Sequence, residues 1–132
     1  MAAAFALGAE GVQMGTRMVS SLESPVHDNW KQAIVAAAET DTLFLRSERG
    51  PALRALRTAR TERIFAGDGS AMQGLAEGID AVYFEGKLEM GLALCGQVAG
   101  RIESVRPVAE IIAETVREYA ETVSRLHASL HA

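Results

Sequence analysis

Leu7-Gly8-Ala9-Glu10-Gly11-Val12-Gln13-Met14-Gly15-Thr16-Arg17 decides how the chain is read. An alanine-rich run, Ala2 to Leu7, precedes it and predicts the tail of a helix. Gly8 then suits a left-handed helix end, where a side chain is strained and glycine is not. Gly11 to Met14 is short and largely apolar between glycines, the pattern of a fully buried parallel strand. Gly15 lets a ligand approach the backbone, and Thr16 can cap the helix predicted over residues 16–22. Free N–H groups at a helix start, just after a strand, make a ready anion site. By local rules alone, a plain strand-to-helix turn that binds nothing fits equally well.

The length, 132 residues, suits one domain with a real core. The net charge of −4 argues against nucleic acid as a partner, because no basic stripe faces a phosphate backbone. Six arginines between Arg46 and Arg63 alternate with Glu48 and Glu62 and read as a solvated helix face. The single cysteine, Cys95, excludes an intrachain disulfide and a cysteine metal cluster. A reducing, cytoplasmic setting is expected. The first seven residues lack a basic start and are too short for a signal peptide or a membrane span.

Further along, a helix is expected over residues 27–38, capped by Asp28 or Asn29 and ended upstream by Ser24-Pro25. Trp30, Ile34, Ala37 and Ala38 share one face of it. Thr40 to Leu45 reads as a short strand. Gly50-Pro51 is expected to open another helix with Leu53, Leu56 and Ile64 on its apolar side. Gly67-Asp68-Gly69-Ser70 is a loop without the preceding strand or the lysine of a phosphate loop. Residues 70–82 read as a broken helix and 83–87 as a turn. Met90 to Ile102 reads as a helix carrying Gly91, Gly96 and Gly100. Each glycine there costs about 1 kcal/mol against alanine, so a backbone or a flat ligand must come close. After Pro107 comes the clearest element, an amphipathic helix with Val108, Ile111, Ile112, Thr115, Val116, Tyr119, Val123, Leu126 and Leu130 on one face.

Three stretches carry a resemblance: Ala6 to Arg17; Glu23-Ser24-Pro25-Val26-His27 with Lys31-Gln32-Ala33-Ile34; and Gly91 with Gly96-Gln97-Val98-Ala99-Gly100. Together they resemble the nitronate monooxygenase family, also called 2-nitropropane dioxygenases, over nearly the whole chain. The resemblance implies an α/β fold: the C-terminal part of a flavin-binding (β/α)₈ TIM barrel with an inserted, mostly helical lobe, the chain itself being predominantly α-helical. It divides the chain into a barrel segment with the phosphate turn (1–25), a helical substrate lobe (26–84), and a return to the barrel with a C-terminal docking helix (85–132). A complete barrel needs roughly 250 residues, so the chain is expected to be about half a protein, from a truncated or split reading frame.

The resemblance also implies flavin mononucleotide (FMN) as cofactor. Gln13, Met14, Gly15 and Thr16 are the expected contacts, with the phosphate on the Gly15 and Thr16 N–H groups and the Thr16 hydroxyl. The family's catalytic histidine lies on an upstream loop, so no catalytic residue is assigned in this chain. His27 is assigned a capping or hinge role. His127 and His131 lack a third ligand, and no metal is expected. Cys95 is read as a small buried residue. Gln97 could reach a flavin edge or cap a backbone group. The implied reaction is oxidation of an alkyl nitronate, a small-molecule substrate, with dioxygen, the chain alone being inactive. The alternatives are an FMN-dependent enoyl-acyl-carrier-protein reductase, or a non-catalytic fragment that self-associates through exposed barrel surface. Neither nucleic acid nor membrane is an expected partner.

Overall fold

The computed structural model describes residues 1–46, 52–76 and 78–131. Helix α1 (Ala2–Ala6) closes as the alanine run predicts. Gly8 takes φ +95°, the Gly8 N–H donates to the Phe5 carbonyl at 2.9 Å, and the Ala9 N–H donates to Ala4 at 3.0 Å. That pair of bonds is a Schellman end, which satisfies carbonyls the helix would otherwise leave bare.

Gly11 to Met14 departs from expectation. Among the described residues nothing pairs with this segment, and Gly11, Val12 and Gln13 are exposed rather than buried. A parallel strand is buried by neighbours on both edges, and no described segment supplies them.

Helix α2 (Thr16–Val19) is a single turn. Its N-cap is Gly15, and Thr16 is its first helical residue, which corrects the capping role expected of Thr16. It ends well before Pro25, because Ser20 and Ser21 turn their hydroxyls back onto carbonyls one turn earlier.

Helix α3 (Asp28–Ala36) is capped by His27, whose Nδ1 accepts the Asn29 N–H at 3.0 Å, not by Asp28 or Asn29. Trp30 and Ile34 are fully buried on its inner face. Strand β1 (Thr42–Leu45) forms as expected and pairs antiparallel with β2 (Leu53–Leu56), Thr42 opposite Leu56 and Leu45 opposite Leu53. Leu53 and Leu56 therefore belong to a strand, not to the helix expected there; Gly50-Pro51 lies outside the described residues. Pairing across the hairpin decides between two readings that a short apolar run leaves open. Helix α4 (Ala59–Phe65) starts later, at a reciprocal Thr58–Thr61 capping box.

The broken helix resolves into a 3₁₀ turn at Gly69–Met72 and helix α5 (Gly78–Tyr83). The helix expected over 90–102 does not form. Two 3₁₀ turns, Leu88–Met90 and Gln97–Arg101, flank an extended segment that lies along β2. There the Leu56 N–H donates to Ala93 at 2.9 Å and the Cys95 N–H to Arg54 at 3.1 Å. Two of the three glycines in this stretch serve close approach: a Cβ at Gly100 would collide with the Glu39 backbone and one at Gly91 would crowd Val82 and Gly78, whereas one at Gly96 would make only ordinary contact.

Helix α6 (Val108–Ser129) follows Pro107 as predicted, and both Glu23 carboxylate oxygens accept the Val108 N–H. Ile111 is buried, and the Phe5 ring meets Tyr119 at 5.3 Å. The rest of the apolar stripe, Ile112, Val116, Val123 and Leu126, is open to solvent. The core instead sits between α3, β2, α5 and the extended segment, around Trp30, Ile34, Val82 and Ala99. No helix among the described residues is long and apolar enough to cross a membrane.

Candidate functional site

The Gly15–Thr16 corner is where the expected site residues fall. Gln13 and Gly15 are exposed, Met14 is half-buried, and Thr16 is buried at 8% exposure. Met14 turns its sulfur toward the Thr115 hydroxyl on α6, 4.0 Å away, so its side chain packs rather than faces solvent. At Gly15 the backbone is ordinary for any residue, φ −95°, and a Cβ there would meet nothing within 4 Å. Nothing within the described residues thus demands glycine at this position; it leaves the approach to the N–H groups bare. Among the described residues no group accepts from the N–H of Gly15, Thr16 or Arg17. Because α2 is only one turn long, an anion here would be held by these local donors rather than by a helix dipole.

Thr16 is fixed from the far end of the chain. The Gly96 N–H donates to Thr16 Oγ1 at 2.7 Å. With that lone pair occupied, the hydroxyl retains its own proton as a donor. The 3₁₀ turn that follows Gly96 packs against both α2 and α3, and its Gly100 seats on the Glu39 backbone. Sequence reasoning singled out Gly96 for its missing side chain; its role here comes from its N–H, which no residue pattern announces.

Arg17 points away from the corner, donating to the Ser104 carbonyl at 2.7 Å and to Ser20 Oγ at 3.2 Å. Partial burial, then the neighbouring Arg106, lower its pKa, while Glu114 opposes them. Its cation is therefore committed to the α6 side. The donor set at the corner (backbone N–H groups and one hydroxyl beside a glycine) suits a phosphate monoester.

The other candidates sort themselves by packing. His27 caps α3, its ring lies against Gly86, and its backbone N–H donates to the Tyr83 carbonyl at 2.7 Å. Cys95 is buried, and desolvation pushes its thiol up to about 11 against the opposing pull of Arg54. His127, in the last turn of α6, and His131, just past its end, meet edge to face at 4.8 Å, and both are exposed. Among the described residues no three His, Cys, Asp or Glu side chains converge as a metal would require. Gln97 is exposed. Trp30 and Tyr83 meet edge to face at 4.5 Å and belong to the packing, whereas Phe44 lies under the Arg54 guanidinium. In the Gly67–Ser70 loop, Asp68 accepts from the Ser70 N–H and hydroxyl and from Arg63, so these donors are used within the loop's own network.

Comparison with known proteins gives this geometry a context. A family model described as nitronate monooxygenase matches residues 1–118. Rv1533 of Mycobacterium tuberculosis, described as a monooxygenase, is 30% identical over 140 residues, 96% of this chain and 37% of that protein. A nitronate monooxygenase of Paraburkholderia phytofirmans is 26% identical over 139 residues, 96% of this chain and 36% of that one. Among solved structures, FabK from Thermotoga maritima superposes with a TM-score of 0.86 at 42% identity, covering 97% of this chain and 42% of that chain. The chain therefore spans well under half the length of the relatives it matches. The fold is the expected one: a mostly helical portion of a larger barrel, with a small sheet.

Proposed function

The chain belongs to the nitronate monooxygenase family, and from that membership we propose that it supplies the phosphate turn and adjoining lobe of an FMN-dependent oxidoreductase that oxidises alkyl nitronates with dioxygen. The observation that carries this reading is the bare Gly15–Thr16 corner, whose N–H groups find no acceptor among the described residues. When bound, FMN supplies the electron chemistry, and the protein orients and polarises it.

In this reading the N–H groups of Gly15 and Thr16 would hold the FMN phosphate. The Thr16 hydroxyl, whose oxygen accepts from the Gly96 N–H, would hydrogen-bond the phosphate with its own O–H. Gly15 keeps a methyl out of the anion's path, and Gln13 lines the approach. Met14 anchors the turn to α6 through its contact with Thr115. Phosphate recognition needs several convergent donors, so this corner shares the group with a second turn of the full barrel. The chain by itself binds FMN weakly and turns nothing over.

Oxygen consumption by the whole barrel, given FMN and an alkyl nitronate without NAD(P)H, tests the reaction. Nitronate-dependent uptake supports it. A second reading keeps the flavin and changes the chemistry to enoyl-acyl-carrier-protein reduction; the 42% identity to FabK favours it. NAD(P)H-dependent turnover of an enoyl substrate, with nitronate untouched, selects that reading. Robust turnover by the chain alone would overturn the claim that it is one part of the site.

A further inference from the structure

Helix α6 carries a seam that its own chain leaves open. Ile112, Val116, Tyr119, Val123, Leu126 and the C-cap Leu130 follow one another at alternating spacings of four and three residues. That alternation is the a/d repeat of a helix that packs along another helix. Tyr119 is half-buried beside Phe5, and the others are exposed, from 43% at Val123 to 79% at Leu130. The flanking positions, Ala113, Thr115, Ala120, Thr122, His127 and Ser129, hold no acid, lysine or arginine. Glu110, Arg117, Glu121 and Arg125 fall off the seam by helical position, so no charge there repels a second helix.

The two halves of the seam differ in shape. Along the C-terminal half, Ala2, Phe5 and Ala6 of α1 form a wall, and with Val123, Leu126 and Leu130 they line a groove of about 460 Å³. Ile112 and Val116, in the N-terminal half, lie outside that groove as an exposed ridge.

We propose that α6 pairs antiparallel with α6 of a second copy of this chain, the ridge of each seated in the groove of the other. The spacing sets the register. Ile112 meets the partner's Leu130, Val116 meets the partner's Leu126, and Tyr119 meets the partner's Val123. Ala120 then faces the partner's Ala120 across the two-fold axis, where small side chains let the helices approach. The same patch serves on both copies, as a closed two-fold pair requires. A parallel pair would set ridge on ridge and leave both grooves empty. With 22 residues, α6 is about 33 Å long. A strip of that length and roughly 15 Å wide, counted on both copies, buries on the order of 1,000 Å², the lower limit for a specific pair. The association is therefore reversible and micromolar. It does not rest on the flavin reading, since the seam and the Gly15–Thr16 corner share no residue.

Sedimentation velocity of the chain between about 1 and 200 µM reads the association, and the mass should move from one chain to two. Ala120→Glu sets two carboxylates against each other on the axis and should weaken pairing at least about tenfold. Ala120 is exposed, so circular dichroism and urea unfolding of this variant should match the parent. Cross-linking under mild oxidation reads the orientation, with the native Cys95 buried and out of reach. Ala120→Cys should cross-link to itself. Ile112→Cys should not, yet should cross-link when mixed with Leu130→Cys. A chain that stays monomeric throughout, or that assembles beyond two copies, overturns the proposal. So does an Ala120→Glu chain that pairs like the parent, or self-cross-linking of Ile112→Cys, which reports parallel packing.

Discussion

The Gly96 N–H donates to the Thr16 hydroxyl oxygen at 2.7 Å, across 80 residues of chain. This single bond ties the Gly15–Thr16 corner to the extended segment that lies along β2. Thr16→Val keeps the shape, removes the acceptor and leaves a half-buried N–H unpaired. Urea unfolding should show a loss of about 1–3 kcal/mol. Thr16→Ser should retain most of the stability; equal losses in both variants would place the effect in packing instead.

Two glycines should answer alanine oppositely. At Gly100 the added methyl meets the Glu39 backbone, which cannot swing aside. Gly100→Ala should cost at least about 2 kcal/mol by thermal or urea unfolding. At Gly15 the methyl meets open space, so Gly15→Ala should cost less than about 1 kcal/mol while weakening FMN binding. A large stability loss at Gly15 would show that packing, not ligand access, requires glycine there.

His27 is a cap. His27→Ala should destabilise the chain by about 1 kcal/mol, and His27→Asn, which also offers an acceptor to the Asn29 N–H, should recover most of it. In the whole barrel neither substitution should change the turnover number by more than a few fold. A collapse of turnover with intact folding would make His27 part of the chemistry.

Titration separates two further groups. Burial holds the Cys95 thiol up at about 11, so the neutral form dominates well above the range in which free thiols ionise. The folded chain should resist iodoacetamide at pH 8 and react promptly once unfolded in urea; rapid labelling of the folded chain would contradict its burial. Asp68 behaves in the opposite sense. The Ser70 hydroxyl and then Arg63 lower its carboxyl to about 2 from the ordinary 3.8. A lowered folded pKa means that its contribution is full above the ordinary value and disappears as pH falls toward 2. Asp68→Asn should therefore flatten the loss of stability with acid between pH 4 and 2, as read by unfolding at stepped pH.

Elements that carry their own pattern were legible in the residues. Helix α6 shows an apolar stripe after a proline, α1 ends on a glycine that takes the left-handed conformation, and β1 is a β-rich run between polar residues. Elements made by their neighbours were not. Leu53–Leu56 becomes a strand because β1 lies on one side and residues 93–95 on the other. The Met90–Ile102 stretch looked helical because the reasons for its glycines are tertiary: Gly100 faces Glu39, and Gly91 faces Gly78. Gly11–Met14 reads as a buried strand, yet burial needs partners that the described residues lack. At the candidate site the glycine and threonine were visible in sequence, whereas the Gly96 clasp and the capping nitrogen of His27 emerge only from the fold.

Parallel titration of FMN and riboflavin into the chain, followed by flavin fluorescence, bears most directly on the central claim. The two ligands share the ring and ribityl chain and differ by the phosphate. If the Gly15–Thr16 corner holds that phosphate, FMN binds at least about tenfold more tightly than riboflavin, inorganic phosphate competes, and Thr16→Val erases the difference. Equal affinity for both flavins, or no binding of FMN at millimolar concentration, would contradict the account.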